Sequence, residues 1–335
     1  NNYESSVLCY DTEKTGIYYS NIFGAKVYRI KCFSLLGYFF PFFFSLYYTL
    51  TLLKSKKFDV IITNTRFFNI SLIGGFYFKR RGIKWIHIEH GATLVNTNNL
   101  IIWAGSRFYD FTFGKLIFYF CDELVAVSEY SRKFVKKFIK KKISVLYIPV
   151  DLSYFEKIRS STKVYDIVYV GRVVYAKGIQ DLIASFSDIS KKNKNSTLLI
   201  VGNGPYLTKL KKLSQDLYLN DKIFFVGEKS REEVFRLVSK SNLFINPSYS
   251  EGLGASVLEA GVLKIPVIST TGGGGTKDLI KHKKTGLIIK TKNPNSITRA
   301  YFFIKNNPKI REQYIKNFSK LINSKFDSIK ILNKW

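Results

Sequence analysis

Residues 250–260, with the sequence SEGLGASVLEA, place two carboxylates around a glycine-rich segment that has the pattern of a helix start. Amides at a helix N-terminus lack partners within the helix, the dipole there is positive, and glycine lets a phosphate approach the main chain. The amides concerned are those of Gly252, Leu253 and Gly254. Glu251 precedes this anion site, and Glu259 lies about two turns into the helix. Because a carboxylate can accept two hydroxyl hydrogen bonds, the pattern predicts a site for a phosphate linked to sugars at both ends.

Residues 171–178, GRVVYAKG, bring two cations to the end of a predicted strand. Arg172 follows the strand directly, and Lys177 stands where the next helix begins. Parallel sheets bind ligands at the carboxyl ends of their strands, so both cations would lie where a diphosphate is expected. Most such side chains are simply solvated, and it is the position after the strand that makes these two candidates.

Both motifs belong to an alternation of short apolar runs with helix-length amphipathic segments. Apolar strands separated by helices predict α/β domains whose parallel sheets are covered on both faces. The predicted strands are residues 6–10, 26–30, 60–64, 84–90, 124–128 and 144–148 in the first half, and 166–170, 197–201, 223–226, 243–246, 267–269 and 286–289 in the second. The predicted helices include residues 179–190, 206–217 and 231–239.

The alternation is interrupted at residues 149–162, which are polar and irregular. A chain of 335 residues is long enough for two domains of roughly 100–200 residues each. We therefore expect two doubly wound, Rossmann-like domains, residues 1–150 and 151–335, that face a cleft. The last helix is a candidate to pack back on the first domain.

The composition is strongly basic, with 53 Lys and Arg against 24 Asp and Glu and a net charge of +29. Such a charge attracts nucleotides, anionic lipid headgroups or nucleic acid. The sequence contains no RNA- or DNA-binding motif, and an AT-rich genome alone would raise the lysine content, so no nucleic-acid partner is expected. Cys9, Cys32 and Cys121 are far apart in sequence, which argues against a disulfide scaffold and fits a reducing cytosol.

Two segments predict contact with a membrane surface. Residues 33–53 carry no charge and are dominated by aromatic side chains, with Pro41 among them. Three alternatives remain open: a buried or half-buried helix of the first domain, insertion at the membrane interface, and a membrane span. Residues 131–142, SRKFVKKFIKKK, predict a basic amphipathic helix. Its apolar stripe consists of Phe134, Val135, Phe138 and Ile139. Together these segments favour an anionic membrane as a partner and a peripheral location on the cytoplasmic, inner face.

Residues 165–290 resemble the donor-binding domain of the retaining nucleotide-sugar glycosyltransferases of family 4, which have the GT-B architecture. The matching segments are VGRVVYAKG, LLIVGNGP, FFVGE, NPSYSEGLGASVLEAGVLKIPVIST and GGGG followed by TGLII. Glu251 and Glu259 form the E-x7-E arrangement of that family. The first half resembles the family more loosely, through FDVIITN, WIHIEHG, ELVAVSEYSRK and YIPVDLSYF.

The resemblance implies transfer of a sugar, with retention, from a nucleoside-diphosphate sugar to a lipid-linked or cell-surface glycan. It assigns the diphosphate to Arg172 and Lys177, with the amides after Glu251 completing the cradle. It assigns the ribose hydroxyls to Glu259 and the donor sugar to Glu251. His90 matches the first-domain histidine that meets the donor sugar across the cleft; a histidine that only caps its strand is the alternative. No metal ion and no further cofactor are expected in this family, and the sequence lacks a DxD-type acidic cluster.

The sequence departs from the family pattern in several places. The opening strand and glycine-rich loop of the family are not found, residues 1–30 resemble a later strand–helix unit, and we expect the loop upstream of Asn1. Asp278 stands where the family usually has Glu, and YIPVDLSYF lacks the usual Asn-Gly. Two other interpretations stay open: a nucleic-acid-binding protein, on charge alone, and a catalytically silent subunit with the same fold.

Overall fold

The computed structural model describes residues 4–16, 18–35, 38–95, 99–158, 160, 162–251 and 253–332. By its contacts the chain divides into two compact units. The first comprises Asn1–Ala126 and Phe134–Ser144, and the second comprises Val127–Lys133 and Val145–Trp335. The domain boundary at residue 150 remains a prediction; by contacts, the second unit also includes the short earlier segment.

Up to residue 145 the described chain forms three separate sheets. The strands are β1 (Ser6–Tyr10), β2 (Tyr19–Ile22), β3 (Ala25–Ile30), β4 (Cys32–Leu35), β5 (Tyr38–Pro41), β6 (Val60–Asn64), β7 (Lys84–Glu89), β8 (Glu123–Ala126) and β9 (Ser144–Val145). The helices are α1 (Phe43–Lys54), α2 (Asn69–Lys79), α3 (Leu100–Tyr109), α4 (Lys115–Phe120) and α5 (Glu129–Val135), with a π-helical turn, Asp110–Gly114, between α3 and α4. The sheet of order β6-β7-β8-β9 has the predicted parallel pairing between β6, β7 and β8.

The strand–helix unit predicted for residues 1–30 is wrong. In the described residues, β1 pairs parallel with β3, and β2 between them in sequence pairs antiparallel with β3. Phe23 and Gly24 connect β2 to β3 with φ values of 51° and 83°. Two central residues with positive φ form the type I′ turn that suits a two-residue hairpin, so the chain reverses here instead of entering a helix.

Residues 33–53 do not form one helix. β4 and β5 pair antiparallel, and α1 begins only at Phe43. Pro41 accounts for the difference, because proline lacks an amide donor and disfavours the helical conformation in the residue before it. The helix buries only Thr49 and Leu53, which makes it a half-buried helix. Within the described residues, none of the helices combines the length and the apolar character that a membrane crossing requires.

The basic amphipathic helix predicted for residues 131–142 is also wrong. α5 ends at Val135. Phe134 and Val135 are buried in the core of the first unit, and Phe138 and Ile139 pack against that core. The apolar spacing that suggested a surface stripe therefore reflects inward packing, and these four side chains do not form a membrane-binding face.

The second unit is built on a six-stranded parallel sheet. Its strands are β10 (Tyr165–Val170), β11 (Leu198–Val201), β12 (Ile223–Phe225), β13 (Ser241–Asn246), β14 (Val267–Thr270) and β15 (Leu287–Ile289). Its helices after β9 are α6 (Leu152–Glu156), α7 (Ile179–Lys192), α8 (Leu207–Asp216), α9 (Arg231–Ser239), α10 (Ala255–Val262), α11 (Thr276–Leu279), α12 (Pro294–Asn306), α13 (Pro308–Lys325) and α14 (Ser328–Leu332). The strands and helices predicted for this half are confirmed to within two residues at each end.

The predictions succeed here because the sheet is buried on both faces. β11 and β14 are buried along their whole length, so they read as continuous apolar runs flanked by amphipathic helices. One detail differs: the irregular stretch 149–162 contains α6. Asp151 caps that helix by accepting hydrogen bonds from two backbone amides, and Phe155 packs on Phe235 at a ring distance of 4.4 Å.

Candidate active site

β10 and β13 are neighbours at the point where the second sheet reverses its strand order, β12-β11-β10-β13-β14-β15. The chain runs outward from β10 to β12 and then continues from β13 to β15 on the other side. Open α/β sheets bind ligands beyond the carboxyl ends of the strands at such a reversal, because the loops there diverge. The segments after β10 and β13 are the two that the sequence singles out, so the topology brings the predicted anion ligands together.

Lys177 and Glu251 form an ion pair with 2.5 Å between Nζ and Oε2. Their side chains are 16% and 20% exposed, so the pair is largely shielded from solvent but still reachable. The buried Ser248 donates its hydroxyl to the same carboxylate oxygen at 3.2 Å, and its Oγ lies 2.7 Å from Oδ1 of Asn246. The predicted cation and the predicted carboxylate are therefore in direct contact, and the polar side chains of Ser248 and Asn246 lie beside them at the end of β13.

Backbone contact at Gly178 holds the two loops together. Gly178 has a φ of 66°, and a Cβ placed there would lie 2.2 Å from the carbonyl oxygen of Pro247. The amide of Tyr249 donates to the carbonyl of Ala176 at 2.8 Å. Lys177 is thus positioned by the main chain on both sides as well as by its ion pair, and a side chain at position 178 would force the loops apart.

The start of α10 keeps the character predicted for an anion site. Gly254 is the N-cap residue, with a φ of 82°, and the first turn carries no acidic side chain. A Cβ at Gly254 would lie 2.5 Å from the Thr276 methyl group, so conformation and space both require glycine there. Leu253 is buried, and Gly252 lies outside the described residues. Binding of a ligand by these amides remains a prediction.

Glu259 lies in α10 with a half-buried side chain. Burial raises the pKa of its carboxyl to about 7, and the nearby charge of Arg231 offsets only part of that effect. Among the described residues the carboxylate accepts no hydrogen bond. A half-buried acid whose oxygens accept no hydrogen bond from the described residues can accept hydroxyl hydrogen bonds from a ligand once it is ionised.

Arg172 differs from Lys177 in its surroundings. It is exposed at the end of β10, and its carbonyl oxygen accepts a hydrogen bond from the buried Tyr169 hydroxyl at 3.1 Å. Its guanidinium forms no ion pair with a carboxylate in the described part of the chain. The structure therefore brings together Lys177 and Glu251 and leaves Arg172 exposed at the end of β10.

A third loop supports the Glu251 segment, and the sequence analysis did not identify it. The amide of Gly275 donates to the carbonyl of Glu251 at 3.3 Å, and the hydroxyl of Thr270 donates to the carbonyl of Ser248. Thr270 is the last residue of β14, and Gly275 follows that strand. The glycine run 272–275 was the sequence feature that could have indicated this loop. The glycine run allows the backbone after β14 to lie close to the backbone of the Glu251 segment.

Asp278, which replaces the usual Glu, has a structural contact in the second unit. Its carboxylate accepts the amide of Glu129 at 2.6 Å, and the amide of Tyr130 also donates to it. Burial raises the pKa of Asp278 above its ordinary value. The contact ties the start of α5 to α11, which explains why the earlier segment groups with the second unit.

His90 directly follows β7 in the first unit. The residue is exposed, and its ring Nε2 lies 3.2 Å from Oδ1 of Asn64. Desolvation of the ring lowers the pKa of His90, and the proximity of Glu89 opposes this only partly. This shift favours the neutral imidazole, which can both donate and accept a hydrogen bond. Its contact with a donor sugar remains a prediction.

Within the described ranges, no three His, Cys, Asp or Glu side chains are grouped closely enough to hold a metal ion. A metal-independent reaction nevertheless stays a prediction, since it rests on the resemblance.

Comparison with protein families gives matches over both halves. The model described as "Glycosyl transferases group 1" matches residues 151–321, and the model described as "Glycosyltransferase Family 4" matches residues 1–154. The chain is a group 1 glycosyltransferase. The match of the first family model covers both motifs at the reversal of the second sheet, and membership of this family makes the chain a transferase enzyme.

Two curated relatives are similar to this group 1 glycosyltransferase. An uncharacterised glycosyltransferase of Methanocaldococcus jannaschii is 30% identical over 318 residues, which cover 90% of this chain and 81% of that protein. The alpha-monoglucosyldiacylglycerol synthase of Streptococcus pneumoniae is 27% identical over 258 residues, which cover 71% of this chain and 57% of that protein.

Solved structures confirm the GT-B fold. The sucrose-phosphate synthase of Thermosynechococcus elongatus superimposes with a TM-score of 0.79 at 20% identity, covering 98% of this chain and 86% of that one. HepE of Anabaena in complex with UDP superimposes with a TM-score of 0.72 at 14% identity, covering 92% and 84%. At these identities the likeness concerns the fold alone.

Proposed function

We propose that this glycosyltransferase transfers a sugar from a nucleoside-diphosphate sugar to a lipid-linked or cell-surface glycan, with retention and without a metal ion. The observation that carries the proposal is the Lys177–Glu251 ion pair at the reversal of the second sheet. Diphosphate oxygens suit an ammonium group and helix amides, and sugar hydroxyls suit a carboxylate. The UDP bound to HepE, which shares the fold, supports a nucleoside diphosphate as the ligand class.

In the proposed reaction, the bond between the anomeric carbon and the diphosphate oxygen breaks while the acceptor oxygen bonds to that carbon on the same face. The acceptor hydroxyl proton leaves with the diphosphate. Negative charge grows on the leaving group, and Lys177 and Arg172 offset it. Glu259 accepts hydrogen bonds from the ribose hydroxyls. Glu251 and His90 bind the hydroxyls of the donor sugar.

Release of nucleoside diphosphate from UDP-glucose, GDP-mannose and ADP-glucose tests this proposal. We expect the wild type to cleave at least one of the three and Glu251→Gln to lower that rate by about 100-fold, because a hydrogen bond to a charged group is lost at the reacting sugar. Glu312→Gln, an exposed acid on α13, is the control and should cleave at the wild-type rate. Equal rates for wild type and Glu251→Gln would refute the proposed site.

The proposed acceptor is carried by a membrane. α1 presents a cluster of exposed aromatics, with Phe43 and Phe44 73% and 83% exposed and Tyr47 and Tyr48 beside them. Aromatic rings favour the headgroup boundary, and a net charge of +29 favours anionic lipid. The name of the S. pneumoniae relative, a diacylglycerol glucoside synthase, supports a lipid acceptor. We place the enzyme on the cytoplasmic face of the membrane by the same argument.

Co-sedimentation with vesicles tests the membrane proposal. Phosphatidylglycerol vesicles should bind the protein and phosphatidylcholine vesicles should not, and binding should weaken as salt screens the charges. The double substitution Phe43→Ser and Phe44→Ser should reduce binding. Phe23→Asn removes a fully exposed ring elsewhere in the first unit and should not. Equal binding to both vesicle types, or by the double variant, would contradict the proposal.

A further inference from the structure

The first unit contains a fully buried guanidinium, that of Arg66, and each of its three nitrogen atoms donates a hydrogen bond. The Nε of Arg66 donates to Asp110 at 2.8 Å, its Nη1 donates to Glu89 at 3.0 Å, and its Nη2 donates to the carbonyl of Thr93 at 3.0 Å. The side chains of Arg66, Glu89 and Asp110 are 0% exposed. The guanidinium also stacks 4.0 Å from the ring centre of Phe67.

This arrangement fixes the backbone on both sides of His90. Glu89, the residue before it, accepts hydrogen bonds from the backbone amides of Arg66 and Gly91. A Cβ at Gly91 would lie 2.3 Å from Nη1 of Arg66 and 2.6 Å from Oε1 of Glu89. At the other end of the segment, the carbonyl oxygen of Thr93 accepts a hydrogen bond from Arg66. Residues 89–93 are therefore held in one conformation around His90.

Two backbone irregularities lie next to this cluster. Thr65, directly before Arg66, has a φ of 61°, an outlier for a β-branched residue. Asp110 is the first residue of the π-helical turn Asp110–Gly114. Strained residues and π-turns persist where surrounding contacts hold them, and both are common at functional sites.

A purely structural explanation accounts poorly for this cluster. Removing a guanidinium from water costs several kcal/mol, and apolar residues of similar volume commonly stabilise a core as well as a buried ion pair does. Burial acts to raise the pKa of Glu89, but the neighbouring His87, whose Nε2 lies 3.6 Å from Oε2, and the charge of Arg66 outweigh it, so the pKa is lowered and the group is ionised. The cluster thus keeps the charges of Arg66 and Glu89 in the core, although burial raises the pKa of Asp110. The hydrogen bonds of Arg66 and Glu89 hold the segment of residues 89–93.

We propose that Arg66 and Glu89 are positioning residues that hold residues 89–93 so that the His90 imidazole has one orientation toward the donor sugar. The inference rests on the proposed function, because it requires that His90 bind the donor. Neither residue touches substrate in this account; each acts through His90.

A double-mutant cycle on nucleoside-diphosphate release, with the sugar nucleotide that the wild type cleaves, tests the coupling. Glu89→Gln should lower kcat by about 10- to 100-fold with KM within twofold, because the reacting geometry is misplaced while the donor still binds. His90→Ala should lose a similar factor, and the double variant should lose no more than His90→Ala alone. Gly91→Ala, which displaces the loop without changing any charge, should behave like Glu89→Gln. Glu123→Gln, in an exposed pair with Lys84, is the control and should not change kcat.

Histidine NMR gives a readout that needs no activity, since the chain has only three histidines. In Glu89→Gln or Gly91→Ala the His90 ring signal should broaden or split, while the His282 signal in the second unit stays unchanged. If His90→Ala is inactive but the kcat losses of Glu89→Gln and His90→Ala multiply in the double variant, the positioning role is refuted and the proposed function stands. The same conclusion follows if the His90 signal is unaffected in both Glu89→Gln and Gly91→Ala. If His90→Ala is fully active, the role of His90 in the proposed function fails instead.

Discussion

At the residue scale, burial changes the carboxyl group of Glu259, which we propose binds the nucleotide. Its carboxyl has a pKa of about 7 in the free protein, and ribose hydroxyls would bind the ionised form. Nucleotide binding should therefore release protons, and affinity should rise with pH up to about 7 and then level off. Titration calorimetry with UDP or GDP in buffers of different ionisation enthalpy measures the released protons. Affinity that is independent of pH between 5.5 and 8 (about one and a half units below and one above that pKa) would contradict the assignment.

The raised pKa of Glu259 also predicts that the folded protein loses stability as pH rises, whereas its affinity for the nucleotide increases. The folded pKa is raised above the ordinary value of 4.5, so the folded state binds the extra proton and loses stability as pH rises from about 4.5 to about 7. Glu259→Gln should therefore raise the free energy of unfolding at pH 8, by on the order of 1–3 kcal/mol, and leave it unchanged at pH 4. Urea denaturation at the two pH values checks this. A variant less stable than the wild type at pH 8 would show that the carboxylate has a partner.

Gly178 provides a test of how the two site loops are joined. Gly178→Ala adds a Cβ 2.2 Å from the Pro247 carbonyl oxygen at a φ of 66°, so we expect a loss of about 1–3 kcal/mol. Gly105→Ala, in an exposed helical position with open space around the Cβ, should instead stabilise by about 0.5–1 kcal/mol. Thermal melts of both variants measure the difference. A Gly178→Ala variant as stable as the wild type would refute the close approach.

The main contact of the site was predictable because each partner sits in its own sequence motif. Lys177 and Glu251 follow neighbouring strands, and parallel topology alone brings them to one edge. Ser248, Thr270 and Gly275 were not predictable in their roles, because their hydrogen bonds depend on how closely three loops approach. Sequence spacing carries no information about such approaches.

At the scale of elements, the prediction succeeds where both faces of a sheet are buried and fails at antiparallel hairpins. β10 to β15 follow from continuous apolar runs separated by amphipathic helices. β2 and β3 are joined by Phe23-Gly24, which lacks the Asn or Asp that normally signals a type I′ turn. The apolar residues of 131–142 have helical spacing, yet the helix ends at Val135. The chain there packs against the core of the first unit, and this packing outweighs the helix propensity.

The Phe23-Gly24 hairpin yields a prediction at this scale. Phe23 has a φ of 51° and a fully exposed ring, so the residue bears conformational strain without any gain from burial. Phe23→Asn should stabilise the protein by about 0.5–1 kcal/mol, since Asn tolerates the left-handed region. Urea denaturation measures this, with Phe23→Val as the matched variant that should destabilise. A stabilising Phe23→Val would contradict the turn assignment.

At the scale of the whole molecule, charge and topology carry different kinds of information. The net charge of +29 is compatible with nucleotide, lipid or nucleic acid and selects none of them. The reversal of strand order in the second sheet indicates where a ligand is expected to bind, and the family match indicates that the reaction is glycosyl transfer. The predicted strands and helices were therefore confirmed for the second unit, where the topology is regular, and the prediction was weaker for the first, where the described residues form three sheets instead of the expected one.

Calorimetric titration of UDP, GDP and ADP tests the central claim, that the loops after β10 and β13 bind the diphosphate of the donor. At least one nucleotide should bind the wild type, and Lys177→Met should weaken that binding by about tenfold or more, through loss of a charged hydrogen bond. Lys191→Met, in an exposed position on α7, should bind as tightly as the wild type. If none of the three nucleotides binds, or if Lys177→Met binds with wild-type affinity, the assignment of this site is wrong.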